Sequence, residues 1–188
     1  MDVIIIIIGG ESHVGKTLLA QGLLEKYKIP YTSLDHIKMG LIRGYDDCGF
    51  VVSESDDIIS GKMWSVVKGI IDTCKENGQN IILEGCYFPP DKVQELVCED
   101  IIAIYIGFSK AYIQNNFDKI IDFESIIEKR KYPEERTQDD FILANIILKG
   151  KCTKANLPYF EVNSDYKNEI QLVYDFIDNR WGLRNNGD

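Results

Sequence analysis

Six consecutive β-branched residues, Val3-Ile4-Ile5-Ile6-Ile7-Ile8, lie at the start of the chain. No polar residue alternates with them, so a strand built from them must bury both faces. A sheet with one wet face shows alternation, whereas a central parallel strand covered on both sides does not. Gly9 and Gly10 follow and are expected to end the strand. With 188 residues, at roughly 150 per domain, the chain reads as one domain with a sizeable core.

The rest of the sequence alternates strand and helix. A helix is expected from near Lys16, with Leu18, Leu19 and Leu23 on its apolar side. Pro30 to Leu34 reads as a second short strand ending at Asp35, followed by a helix from about His36 to Arg43. Residues 44–57 read as a loop. Ile59, Met63, Val66, Val67, Ile70, Ile71 and Cys74 recur at helical spacing over 58–77, and Asn77-Gly78 stops that helix. Asn80–Leu83 and Ile101–Ile106 read as buried strands, 110–121 and 138–156 as helices, and Pro158–Val162 as the last strand. Ile170, Val173, Tyr174 and Ile177 mark a final amphipathic helix, with Asn185–Asp188 frayed beyond it. This order predicts an α/β fold with a mainly parallel five-stranded sheet and helices on both faces.

Gly10-Glu11-Ser12-His13-Val14-Gly15-Lys16-Thr17 matches G-x-x-x-x-G-K-[ST]. It follows a strong buried strand and opens an amphipathic helix, the context a phosphate loop needs. Its glycines let backbone N–H groups curl around phosphate oxygens, and the helix N-terminus adds partial positive charge there. Lys16 supplies an ammonium for the β- and γ-phosphates. Thr17 supplies a hydroxyl ligand for Mg²⁺.

Composition narrows the partners. Lys and Arg total 21 against 30 Asp and Glu, for a net charge of −9. A chain this acidic gains nothing overall from counterion release, so nucleic acid is not an expected partner. The longest apolar run, Val3 to Ile8, is far short of the roughly 20 residues a membrane span needs. Asp2 stands where a signal peptide would carry a basic residue. The five cysteines form no C-x-x-C pair and read as reduced thiols. A cytoplasmic protein is expected.

The loop, the element order and the size resemble the P-loop small-molecule kinases. That group includes adenylate, shikimate and gluconate kinases and chloramphenicol phosphotransferase. Short bacterial proteins described as adenylate-kinase-like or 2-phosphoglycerate-kinase-like are similar too. The resemblance covers most of the chain, and residues 3–19 are its sharp part. It implies a three-layer P-loop fold with a small helical lid, and one domain over 1–188. It also implies ATP and Mg²⁺, with the γ-phosphoryl passing to a hydroxyl or phosphate of a small molecule. By the same resemblance, Gly10, Glu11, Ser12, His13, Val14, Gly15, Lys16, Thr17 and Leu18 hold the nucleotide, and residues 36–77 hold the acceptor.

Asp35 lies at the carboxyl end of the second strand, where parallel sheets place their ligands. In similar kinases an acid here orients or deprotonates the acceptor hydroxyl, or holds Mg²⁺ through water. An Asp here also suits a helix N-cap. Glu84 resembles the acid that ends the Walker B strand, and would bind Mg²⁺ through water or touch the acceptor. Adenylate kinases carry Asp-Gly-Phe-Pro-Arg at this point. This chain has Glu84-Gly85-Cys86-Tyr87-Phe88-Pro89-Pro90 with no arginine, which argues against a nucleoside monophosphate acceptor. Lys129, Arg130, Lys131 and Arg136 crowd the expected lid, about 122–137, where a solvated face paired with Glu128, Glu134 and Glu135 is the other reading. Arg130 ranks first as the group that closes on the phosphoryl, and Arg136 second.

Arg43 is the one arginine on the acceptor side and a candidate for an acidic group. Asp46, Asp47, Glu54, Asp56 and Asp57 surround it in sequence and would repel a strongly anionic acceptor. A neutral or amine-bearing acceptor is therefore favoured. Trp64, Tyr87 and Phe88 line its pocket or belong to the core. Two other readings compete: a regulatory P-loop NTPase, and a toxin-like kinase of a nucleotide sugar or macromolecule. No Asn-Lys-x-Asp guanine motif is present.

Overall fold

The computed structural model describes residues 3–122 and 135–185. Five strands form one sheet: β1 (Ile5–Gly10), β2 (Tyr31–Ser33), β3 (Ile81–Gly85), β4 (Ile101–Phe108) and β5 (Tyr159–Val162). Their spatial order is β2-β3-β1-β4-β5, and every pairing between them is parallel. The helices are α1 (Lys16–Tyr27), α2 (Leu34–Gly44), α3 (Asp56–Glu76), α4 (Pro90–Val93), α5 (Lys110–Asp122), α6 (Gln138–Lys154), α7 (Tyr166–Glu169) and α8 (Gln171–Asn185). Among the described residues no helix is long and apolar enough to cross a membrane.

The isoleucine run explains the layering. β1 is central, and its side chains alternate between two apolar clusters. Ile4, Ile6 and Ile8 pack with Leu19 and Leu23 of α1, Ile113 of α5, and Val173 and Ile177 of α8. Ile5 and Ile7 pack with Leu34 of α2 and with Ile59, Met63 and Val67 of α3. Ile5, Ile6, Ile7 and Ile8 are all fully buried. Each such side chain contributes about 1.5–3 kcal/mol relative to exposure. β-branching suits the pleat, and burial on both faces removes any need for polar alternation.

Several boundaries differ from the sequence expectation. Gly9 and Gly10 do not end β1 but complete it, pairing with Gly85 of β3 and with Tyr105 and Ile106 of β4. A Cβ on Gly10 would lie 2.6 Å from the Ile106 carbonyl oxygen, so only glycine fits this close approach. β2 ends at Ser33, and α2 begins at Leu34 rather than His36. The single-turn α4 has no periodic signal. Pro90 at its first position and the Lys92 and Val93 N–H groups bonding to Pro89 O define it.

Candidate functional site

The phosphate loop spans the turn from β1 to α1. His13 (φ 66°) and Gly15 (φ 85°) both take left-handed backbone there. Glycine holds that conformation without strain, whereas His13 does not. Tyr166 at the start of α7 closes the loop from behind. Its hydroxyl donates to the Gly15 carbonyl at 3.3 Å and fills the space a Cβ on Gly15 would take. Lys16 is buried and donates to the Glu11 carbonyl at 2.7 Å, across the loop. Burial opposes its charge, but Cys86, Glu84 and Asp35 outweigh burial and hold its ammonium above the usual lysine range.

Glu84 is the penultimate residue of β3, beside this loop and in register with Ile8 of β1 and Ser33 of β2. It is 1% exposed. Thr17 Oγ1 donates to Glu84 Oε1 at 3.3 Å, and the Ser33 hydroxyl also bonds to this carboxylate. Burial pushes the Glu84 carboxyl up, and Ser33, Lys16 and Thr17 pull it only part of the way back. Ser33 is the N-cap of α2 yet makes no side-chain cap bond, which fits its hydroxyl being engaged with Glu84.

Asp35 is neither at a strand end nor an N-cap. It lies in the first turn of α2, where the helix dipole favours a carboxylate. Its Oδ1 is 3.1 Å from Lys38 Nζ and accepts from the Tyr87 hydroxyl at 3.1 Å. Lys38 Nζ also bonds to the Tyr87 hydroxyl and lies 4.8 Å from that ring's centroid. Burial pushes the Asp35 carboxyl up, but Lys38, Lys16 and Tyr87 together leave it below the usual carboxylate range.

Arg136 reaches the loop from the other side. Its Nη1 is 3.8 Å from Glu11 Oε2, and its guanidinium lies 4.5 Å from the Phe141 ring centroid. Phe141 in turn packs against His13, with centroids 5.5 Å apart. Burial pushes the Glu11 carboxyl up, with Lys16 and Arg136 opposing. Thr137 and Asp140 fix the backbone just after Arg136 in a reciprocal capping box.

Lys16, Thr17, Glu84 and Asp35 therefore converge at one end of the sheet, and Arg136 joins them through Glu11. Leu18 is 49% exposed on the first turn of α1, on the loop's outer side. Val14 is buried against the core. Ser12 is half-buried at the loop's turn. Arg43 is not brought to this centre. It is exposed in the last turn of α2, about 12 Å along the helix from Asp35. Arg130, and with it most of the lid expected over 122–137, lies outside the described residues. Trp64 packs partly buried against the core, with Lys92 over its ring at 5.7 Å.

Two participants, Lys38 and Cys86, are not singled out by the sequence, and a third, Asp56, is placed differently. Lys38 follows Asp35 by three residues, the spacing that puts two side chains on one helix face. Asp56 was read as part of a loop but begins α3, and its charge couples to Lys38, Asp35, Arg136 and Lys16. From the sequence Cys86 is one of five reduced thiols. It lies against Lys16, and burial pushes its thiol up to about 11. Nothing in the sequence distinguishes it from the other four cysteines.

Hard oxygen donors are present for a divalent cation: the Thr17 hydroxyl and the Glu84 carboxylate. Mg²⁺ takes one or two such groups and completes its shell with water and phosphate oxygens. Among the described residues no group of three or more His, Cys, Asp or Glu could hold a metal ion.

No family model and no curated relative matches the chain. Solved structures do. A shikimate kinase from Acinetobacter baumannii in complex with shikimate superposes with a TM-score of 0.59 at 14% identity, covering 99% of this chain and 96% of that one. A gluconokinase from Sinorhizobium meliloti 1021 gives 0.56 at 10% identity, covering 98% of each chain. A shikimate kinase from Bacteroides thetaiotaomicron gives 0.55 at 14% identity, covering 93% of this chain and 98% of that one. The fold is that of the P-loop small-molecule kinases. At these identities the likeness concerns architecture, and the activity must be argued from the site.

Proposed function

We propose that the chain is an ATP-dependent phosphotransferase that moves the γ-phosphoryl group to a hydroxyl of a small molecule. The observation that carries this reading is the meeting of Lys16 and Thr17, at the start of α1, with Glu84 of β3 and with Asp35 from the first turn of α2. Catalysis in such a site is mostly positioning and electrostatics. The loop N–H groups cradle the phosphates, and Lys16 exchanges the Glu11 carbonyl for a phosphate oxygen. Thr17 and Glu84 are the residues that would hold Mg²⁺, directly or through water. When bound, the ion would supply positive charge beside the phosphate oxygens. Asp35, kept ionised by Lys38, orients the acceptor hydroxyl and accepts its proton. Arg136 offers a guanidinium at the same loop.

The fold likeness to shikimate kinases and a gluconokinase supports a small-molecule acceptor. We read the chain as one unit, with 36–77 as the acceptor side and the lid over 122–137. Five cysteines without a disulfide suit a reducing compartment such as the cytoplasm. The test is ADP release from Mg-ATP, wild type against Lys16→Ala, with pools of hydroxyl-bearing metabolites. A Lys16-dependent acceleration by one pool supports the kinase. Equal rates from wild type and variant in every pool would sink it.

A further inference from the structure

Helix α6 is apolar on two opposite faces. The inner face packs Phe141, Ile142 and Cys152 into the core. On the outer face Leu143, Ile146 and Ile147 are 57%, 54% and 47% exposed. A surface helix ordinarily gives that face to polar residues. In line with these three stand Asp139 in the first turn, Gly150, and Lys154 in the last turn. Steps of three and four residues place all six on one face. A Cβ on Gly150 would meet nothing within 4 Å, so the face has an open notch there. The charges to either side are engaged within the chain. Asp140 closes the capping box with Thr137, Lys149 pairs with Glu161 at 2.6 Å, and Lys151 pairs with Asp57 at 3.2 Å. The side chains of Asp139 and Lys154, both exposed, have no hydrogen-bond or ion-pair partner among the described residues.

We propose that this face joins two copies of the chain in a two-fold dimer, with the two α6 helices antiparallel. The six positions are symmetric about the point between Ile146 and Ile147. Along the helix axis Leu143 and Gly150 each lie about 5 Å from that point, and Asp139 and Lys154 each about 11 Å. A two-fold axis there makes every contact occur twice, with the roles exchanged. Ile146 meets the partner's Ile147. Leu143 fills the notch at the partner's Gly150. Asp139 faces the partner's Lys154 at both ends of the pair. A parallel pair would instead set Asp139 against the partner's Asp139 and Lys154 against the partner's Lys154, so charge complementarity selects the antiparallel arrangement. One helix face of this length falls at the low end of interface sizes, below about 1,200 Å², so the dimer is weak and concentration-dependent. Phe141 and its contact with His13 lie on the opposite face of α6 and are untouched by the pairing. The inference does not depend on the kinase reading.

The test is sedimentation velocity of the full chain from low micromolar to near-millimolar concentration, with thermal unfolding as the check on folding. The wild type should pass from monomer to dimer across that range and go no further, because a two-fold contact closes on itself. Ile146→Glu, at an exposed position, should abolish the dimer while the monomer keeps its Tm. Asp139→Lys and Lys154→Glu should each weaken association by about 10-fold in low salt, since each sets like charges together at both ends. Mixed in equal amounts, the two variants should pair with each other to within about twofold of the wild-type affinity, because the mixed dimer has opposite charges at both ends. Loss in each variant with recovery in the mixture identifies the antiparallel pair. In a parallel pair the single changes exchange one like-charge contact for another and cost nothing. A monomer at every concentration overturns the inference and leaves the face to a different partner. A dimer that survives Ile146→Glu overturns it. So do single charge variants that associate like the wild type, and a mixture that associates no better than either variant alone.

Discussion

The two halves of the cleft are built differently. The phosphate side is local. Residues 10–17 form one turn between a buried strand and a helix, and its central groups, Lys16 and Gly15, are fixed by neighbours within the loop and by Tyr166. The acceptor side is assembled from separate elements: Asp35 and Lys38 from α2, Asp56 from α3, and Tyr87 from the turn after β3. On the proposed reading the first half binds groups common to every nucleoside triphosphate, for which one rigid turn serves. On the same reading the second matches one acceptor, and its parts lie where loop and helix lengths can vary without disturbing the sheet.

The contrast can be broken by substitution. The largest effect is expected for Lys16→Ala, which removes the ammonium from the phosphate side. Turnover should fall by about 100-fold or more, comparable with losing a principal transition-state donor. Asp35→Asn should lower the chemical step by about 100-fold. Its dissociation constant for ADP, read with a fluorescent analogue, should stay within about twofold, because its hydrogen-bonding partners, Lys38 and Tyr87, lie on the acceptor half. If nucleotide affinity falls in step with turnover, the two halves are not separable. Gly15→Ala tests the local half without touching a charge. A left-handed backbone and the Tyr166 hydroxyl stand against the new methyl. A loss of about 1–3 kcal/mol in urea denaturation is expected, together with weaker nucleotide binding.

Glu84 lies between the halves, and its sign is the reverse. Its folded pKa is raised by burial, so its ionised form weakens the ligand-free protein at pH values above that raised pKa. Glu84→Gln should therefore raise Tm at pH 8, at about 2–4 °C per kcal/mol for a chain of this size. The gain should fade as pH falls through the folded pKa and vanish below the unfolded value of about 4.3. Turnover should fall in the same variant. A Tm that is lower at pH 8, or a gain that persists in acid, contradicts this account of Glu84. The smallest effect is expected for Arg43→Ala, at most about twofold on any kinetic constant, since its guanidinium is exposed and remote from Asp35.

The same division decides what could be read from sequence. The isoleucine run announces a doubly covered strand because its signal is a composition of consecutive residues. The phosphate loop is legible because its chemistry needs fixed spacing within eight residues. Asp35 was found by its place after a strand, but its helical setting was misjudged. Ser33 looked like part of a strand alone, and its role as helix N-cap shows only in the fold. Lys38 and Cys86 gave no signal, since each acquires meaning from a partner distant in sequence or hidden in a helix turn, and Asp56 showed only as one of five acids near Arg43, not as the start of a helix. Single-turn α4 escaped for a related reason: four residues are too few to show a period.

The bond between Tyr166 and Gly15 joins residues 151 positions apart. During synthesis this order has a consequence. A nascent chain halted before Tyr166 already carries every residue of the phosphate loop, yet lacks the ring that backs it. Nucleotide capture should therefore switch on late, as the segment after β5 clears the ribosome, and stalled chains of graded length should show a step in ATP-analogue retention there. Translation would release a working donor site all at once, with no half-built form competing for the cell's nucleotide.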